Sequence, residues 1–286
     1  MNLPSVQRVV RSLAVLFVGL AFAAASLAQM SNTGNSATPV SSGADSLETQ
    51  LHMLTDVQRQ DVDSKQKDAY AAFYKVNPED PDKKIELGNK FLQKYPKSPF
   101  AEAVDVGLTN AYYAKQDWKD FYASADNALA LKPDEVDVLA FVGWVIPHFY
   151  DPNDPNADAQ LDKAETYEKH ALVVITTMPK PAGVTDAQFA ASKAQKTFQA
   201  HSGLGLVYFR KQDYDNSVKE LQLAVQGNAA PDQADLFVLG VDFQNLNRDG
   251  DAANAFNRCS EMVGSLQDRC KQSADQTKKQ EPVTSK

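Results

Sequence analysis

Four histidines, two cysteines and one acid-rich loop are the groups through which this chain could do chemistry, and their spacing argues against most of it. His52, His148, His170 and His201 are scattered along 286 residues, with no pair at metal-ligand spacing. His201 falls on the apolar face of a helical pattern, where a packed histidine is the simpler reading. Asp151-Pro-Asn-Asp154-Pro-Asn-Ala-Asp158 offers three carboxylates but lacks the glycine and distal glutamate of a calcium-binding EF-hand loop, so it reads as a polar loop built from turn formers. There is no G-x-S-x-G, no H-E-x-x-H, no glycine-rich phosphate loop and no C-x-x-C. No catalytic residue, no metal site and no cofactor is expected, and the chain is not read as an enzyme.

The elements that would position any such group begin after a targeting segment. Arg8 and Arg11 precede an apolar run from Leu13 to Ala25, and Ser26-Leu27-Ala28 supplies the small-x-small pattern of a signal peptidase site. Residues 1–28 are thus expected to be a signal peptide of the general secretory (Sec) route, leaving no stable membrane anchor and a periplasmic or secreted chain. The apolar run is short against the ~20 residues that span a bilayer. Loss of two arginines and no acid takes the formal charge from −8 to −10. Phosphate backbones and anionic lipids should repel such a chain, so nucleic acid is not an expected partner. In an exported protein the pair Cys259 and Cys270 is expected to form a disulfide.

Residues 29–46 are rich in Ser, Thr, Asn, Gly and Ala and read as a disordered linker; 273–286 reads as a polar tail. Between them, over 47–272, the chain is a succession of amphipathic helices. Ala101, Val104, Leu108, Ala111 and Tyr112 line one face of a helix over 101–115, and Phe121, Tyr122, Ala125, Ala128 and Leu129 line one face of the next, over 118–131. The unit recurs. Thr109 with Tyr112 is matched by Gly143 with Ile146, Gly205 with Tyr208, and Gly240 with Phe243; two of the intervals are 34 and 35 residues. Gln116-Asp117-Trp118 likewise matches Gln212-Asp213-Tyr214. Clear units cover 103–133, 198–230 and 233–262. Divergent ones cover 61–97 and 136–196. In the latter a helix is expected to stop at Pro147 and a second to run over 161–176, with Glu168 where the pattern prefers an apolar residue. Gly143 to Gly205 is 62 residues, about 28 more than one repeat. A short capping helix over 265–273 closes the series.

The Leu-Gly-x-x-Tyr spacing, the small residue early in each second helix and the closing proline resemble the tetratricopeptide repeat (TPR). That resemblance implies an all-α, right-handed α-solenoid of helix–turn–helix hairpins whose first helices line a concave, partner-binding face. Carried onto this chain, the face comprises Asn110, Tyr113, Trp144, His148, Leu206, Phe209, Arg210, Val241, Gln244 and Asn245. The lysine-rich clamp some members use to grip a C-terminal carboxylate is missing apart from Asn110. The implied role is a non-catalytic scaffold holding a peptide or protein partner. The turn Lys94-Tyr95-Pro96-Lys97-Ser98-Pro99 is similar to that in TPR proteins of the bacterial envelope. The alternative is a binder of a small ligand or glycan that closes a pocket with the loops 149–160 and 177–186.

Overall fold

Carboxylates and one threonine set where six of the eleven described helices begin. In the computed structural model, which describes residues 62–181 and 183–280, Asp63 accepts from the Gln66 amide at 2.7 Å and opens α1 (Ser64–Tyr74). Asp80 caps α2 (Pro81–Lys94), with proline at the first helical position, where its missing N–H costs nothing. Asp117 opens α4 (Trp118–Leu131), Asp213 opens α8 (Tyr214–Val225) and Asp232 opens α9 (Gln233–Asn245). Thr185 and Gln188 form a reciprocal capping box at the start of α7 (Asp186–Arg210). The remaining elements are α3 (Ala101–Lys115), α5 (Val136–His148), α6 (Ala157–Thr177), α10 (Asp249–Glu261) and α11 (Gln267–Gln280). The signal segment 1–28 and the linker 29–46 lie outside the described residues.

The chain turns between paired helices in the same way three times. Gln116, Gln212 and Asn247 take left-handed φ values of 57°, 61° and 57°. In each turn the next amide reaches back to the closing turn of the first helix: Asp117 N–H to Tyr112 O, Asp213 N–H to Tyr208 O, and Arg248 N–H to Phe243 O, at 2.8–3.0 Å. These bonds satisfy carbonyls that the helix end leaves open. The third turn, Asn247-Arg248, is one the sequence comparison did not pick out.

Within the hairpins, small residues of the first helix admit large ones of the second. A Cβ on Gly205 would stand 2.5 Å from Leu221, and one on Gly240 would stand 2.5 Å from Phe256. Both partners are fully buried. Consecutive helices pack in pairs throughout the described residues, so the fold there is all-helical, TPR-like and built of sequential hairpins. One core runs through α1–α6, and a second runs through α7–α11. A third, smaller group joins α5, α6 and α7 through Val136, Leu139, Ala140, Ala171, Ile175 and Ala200.

Three boundaries differ from the sequence reading. α5 does not stop before Pro147 but runs through it to His148. Proline removes one backbone donor, and the helix ends one residue beyond it, so no further turn has to be built on that missing bond. α6 starts four residues before Leu161 and spans 21 residues, while α7 spans 25. The 28 extra residues between Gly143 and Gly205 therefore lengthen two helices and their flanking loops; they do not add a hairpin. Finally, α11 continues to Gln280 with Ala274 and Thr277 buried, so the expected polar tail is helical over 273–280.

Candidate functional site: a cleft between three first helices

The ten residues assigned to the concave face do not form one open row. Trp144 and Leu206 are buried. Phe209 and Val241 are half-buried against the second core. Gln244 donates to the Thr277 hydroxyl at 2.8 Å, so α11 covers it, and Asn245 donates to Val241 O on its own helix. Tyr113 lies among Trp118, Phe121, Phe141 and Phe149, with ring centroids 4.9–6.2 Å apart. Asn110 is half-buried on α3.

Three of the ten do converge. His148 at the end of α5, with Leu206 and Arg210 on α7, border a small cleft that is open to solvent. Pro147, Ala234, Phe237, Val238 and Leu266 complete its walls, so α5, α7 and α9 all contribute. None of these five is among the residues the sequence assigns to the face. Phe237 precedes Gly240 by one turn, but the helical pattern alone does not say which neighbouring helix that position meets. None of the lining residues comes from the loops 149–160 or 177–186. In the first of those loops the carboxylates serve local turns: Asp151 accepts from the Asn153 amide and Asp154 from the Asn156 amide.

The polar groups around the cleft are unusual in what they lack. The His148 ring stacks on Trp144, with centroids 3.7 Å apart, and its Nδ1 lies 2.7 Å from Trp144 O. A carbonyl can only accept, so Nδ1 carries the proton and Nε2 presents a lone pair. That Nε2 has no hydrogen-bond partner, and the nearest carboxylate oxygen, Asp232 Oδ2, is 4.0 Å away. Burial, reinforced by the charge of Arg210 and opposed by the Trp144 carbonyl, lowers the imidazole pKa to about 4, so the ring is neutral at physiological pH. Burial also raises the Asp232 carboxyl, although the Ala234 amide at 2.8 Å works against it. Burial and the nearby Asp232 push the Tyr113 phenol up to about 12. Asp235, one turn into α9, is raised well above the ordinary range by burial; it accepts from Ser202 on α7 at 2.7 Å.

Arg210 has a different environment. Its Nε donates to Pro147 O at 3.1 Å, and its guanidinium lies over Tyr150 and Phe209 at 5.4 and 5.8 Å. Burial lowers its pKa, and among the described residues no carboxylate pairs with it. No metal-binding group of three or more His, Cys, Asp or Glu occurs among the described residues.

No family model matches the chain, and no curated protein is significantly similar to it. Among solved structures it is similar to a thermophilic TPR protein of Thermus thermophilus, at 14% identity and a TM-score of 0.47 over 80% of this chain and 98% of that one. It is also similar to a tetratricopeptide repeat protein of Parabacteroides merdae, at 12% identity and a TM-score of 0.34 over 76% of this chain and 100% of that one. The description as TPR-like rests instead on the hairpin order, the three equal turns and the glycine contacts within this chain.

The cysteines stand apart from the cleft. Cys259 at the end of α10 is bonded to Cys270 in α11, with Cα atoms 5.7 Å apart and both side chains buried. The bridge ties the terminal helix to the last hairpin.

Proposed function

We propose that this chain is a non-catalytic interaction protein of the cell envelope that seats a segment of a peptide or protein partner in the cleft between α5, α7 and α9. The observation that carries the reading is the cleft itself. First helices of three successive hairpins meet around an apolar space, with polar groups of His148 and Arg210 at its edge. A concave apolar site with few polar groups is the general form of a recognition pocket. A site bordered mainly by helix faces, with Leu266 from the turn before α11, suits an inserted side chain better than an enclosed ligand.

The test is selection of binding peptides from a displayed random library on the chain from Gln29 onward, repeated with Ala234→Leu. Ala234 is half-buried and lines the cleft, so the added bulk fills the space without removing a core side chain. Peptides enriched by the parent and not by a variant of unchanged helicity support the reading. Equal enrichment by both moves the contact surface elsewhere. The envelope location rests on the signal-like segment 1–28 and is tested by N-terminal sequencing of the chain recovered from cells, with Gln29 as the expected first residue.

A further inference from the structure

Most basic side chains near the cleft helices are neutralised by a neighbouring acid. Lys163 pairs with Asp126 at 2.7 Å, and Lys211 pairs with Glu165 at 2.6 Å. Two arginines depart from this. Arg210, largely withdrawn from water, meets only a backbone carbonyl and two aromatic rings. Arg269 on α11 lies over the ring of Phe237, a cleft wall, with its guanidinium 4.9 Å from the ring centroid. Neither makes an ion pair among the described residues. A desolvated cation without an anion is costly, and aromatic faces offset only part of that cost. The acids nearest the cleft are engaged elsewhere: Asp232 accepts from the Ala234 amide, Asp235 accepts from Ser202, and neither forms an ion pair with Arg210 or Arg269. In a chain of net charge −8, the cleft is thus a place where positive charge is concentrated and unanswered.

We infer that the partner segment seated in this cleft is acidic: an apolar side chain enters between Leu206, Val238 and Phe237, and a carboxylate beside it pairs with Arg210. The inference rests on the docking reading above and adds the chemistry of the occupant. Arg210 is suited to the task because a planar guanidinium can hold a carboxylate through two parallel N–H···O bonds, and its Nη groups have no partner among the described residues. Arg269 would strengthen the field at the opposite wall.

The test uses two synthetic pentapeptides, Ac-Ala-Glu-Leu-Glu-Ala-NH2 and its twin with both glutamates replaced by glutamine. Binding is followed by methyl NMR shifts of Leu206, Val238 and Ala234, with affinities from titration at low salt. The acidic peptide should bind about tenfold or more tightly than its twin, a difference of about 1.4 kcal/mol. The gap should shrink as salt is raised. Arg210→Met, which keeps an apolar stem, should abolish the preference, while Arg210→Lys should retain part of it. Melting and helicity of each variant guard against unfolding through loss of the Pro147 contact, and Arg269→Met offers a second, independent reduction of the preference. Equal binding of both peptides, or a preference that survives Arg210→Met, overturns the inference and leaves the docking reading standing. If neither peptide shifts the cleft methyls, this occupant chemistry is excluded, and the library selection decides the docking reading separately.

Discussion

Replacing Glu168 with methionine should make the protein more stable, and more so at higher pH. Glu168 lies on α6 with no solvent exposure, and neither carboxyl oxygen has a hydrogen-bond partner. It fills a slot made by two glycines on two different helices. A Cβ on Gly143 of α5 would stand 2.6 Å from its carboxyl carbon, and one on Gly203 of α7 would overlap the carboxyl. In the neighbouring hairpins Leu221 and Phe256 occupy the equivalent contact with glycine. Burial alone raises the Glu168 pKa well above 4.5, with no charged neighbour offsetting it. Burial therefore favours the protonated acid in the fold, and each unsatisfied buried polar group costs about 1–3 kcal/mol. Methionine has similar length, no polar hydrogen and a flexible stem, so it can take the slot with little strain. The expected gain is about 1–3 kcal/mol near pH 5.

The pH dependence has a definite sign. A carboxyl whose folded pKa exceeds its unfolded value binds its proton more tightly in the native state. Its contribution is fully present below about 4.5 and is lost as pH rises toward and through the folded pKa. The parent should thus lose stability from pH 5 to pH 8, and Glu168→Met should lose less. Carboxyls shifted the other way do not obscure this window. Burial of Glu165 opposes ionisation, but hydrogen bonds from Lys169 and Lys211 outweigh it and hold the group at about 2, so its titration lies below pH 5. Urea unfolding at both pH values, followed by far-ultraviolet circular dichroism, measures the difference. Glu168→Gln separates the two effects, since it removes the proton linkage and keeps an unsatisfied polar group. A methionine variant that is less stable than the parent at pH 8, or one whose pH slope is unchanged, would refute the reasoning.

Asp242, fully buried on α9 with Ser217 donating at 2.6 Å, is raised by burial to about 7 against an ordinary 3.8. Asp242→Asn should therefore remove up to about 4 kcal/mol of the stability lost between pH 4 and 7, read from urea midpoints across that range. Gln212→Gly should raise stability by about 1 kcal/mol in the same assay, because glycine takes the left-handed φ of 61° without the clash of a side chain. Reducing Cys259–Cys270, which closes a sequence separation of 11, should cost about 3 kcal/mol and increase amide exchange first in α11.

The hairpins were legible because each repeat position serves a contact. The glycines at 205 and 240 mark close approach to a second helix, and the Gln-Asp pairs at 116 and 212 mark the left-handed turn. Asn247-Arg248 escaped notice since the turn is specified by backbone φ and the hydrogen bond back to the first helix, which several residue types can supply. The cleft was legible only in part. Counting along a helix says which face a residue is on, and the resemblance to tetratricopeptide repeats is what placed His148, Leu206 and Arg210 on one shared face. It does not say which residues a neighbouring helix contributes, so Phe237 and Val238 were missed. Nor does it say which residues a neighbour buries: Trp144 and Leu206 were read as presented to a partner, whereas the packing of α7 along α5 leaves both with little exposed surface.

The departure at Glu168 and the cleft are connected through the same two helices. Gly143 and Pro147 are four residues apart on α5, and Gly203 precedes Leu206 by three and Arg210 by seven on α7. Such spacings put the glycines and the cleft residues on common helix faces, about one to two turns apart. The absence of a Cβ at 143 and 203 lets α5 and α7 close onto α6 around a single glutamate. A regular repeat would place one glycine against one apolar side chain and draw two helices together. Here two glycines meet one side chain and draw three, at the point where the chain spends its 28 additional residues on longer helices. The irregular centre of the array is thus the part that carries the cleft.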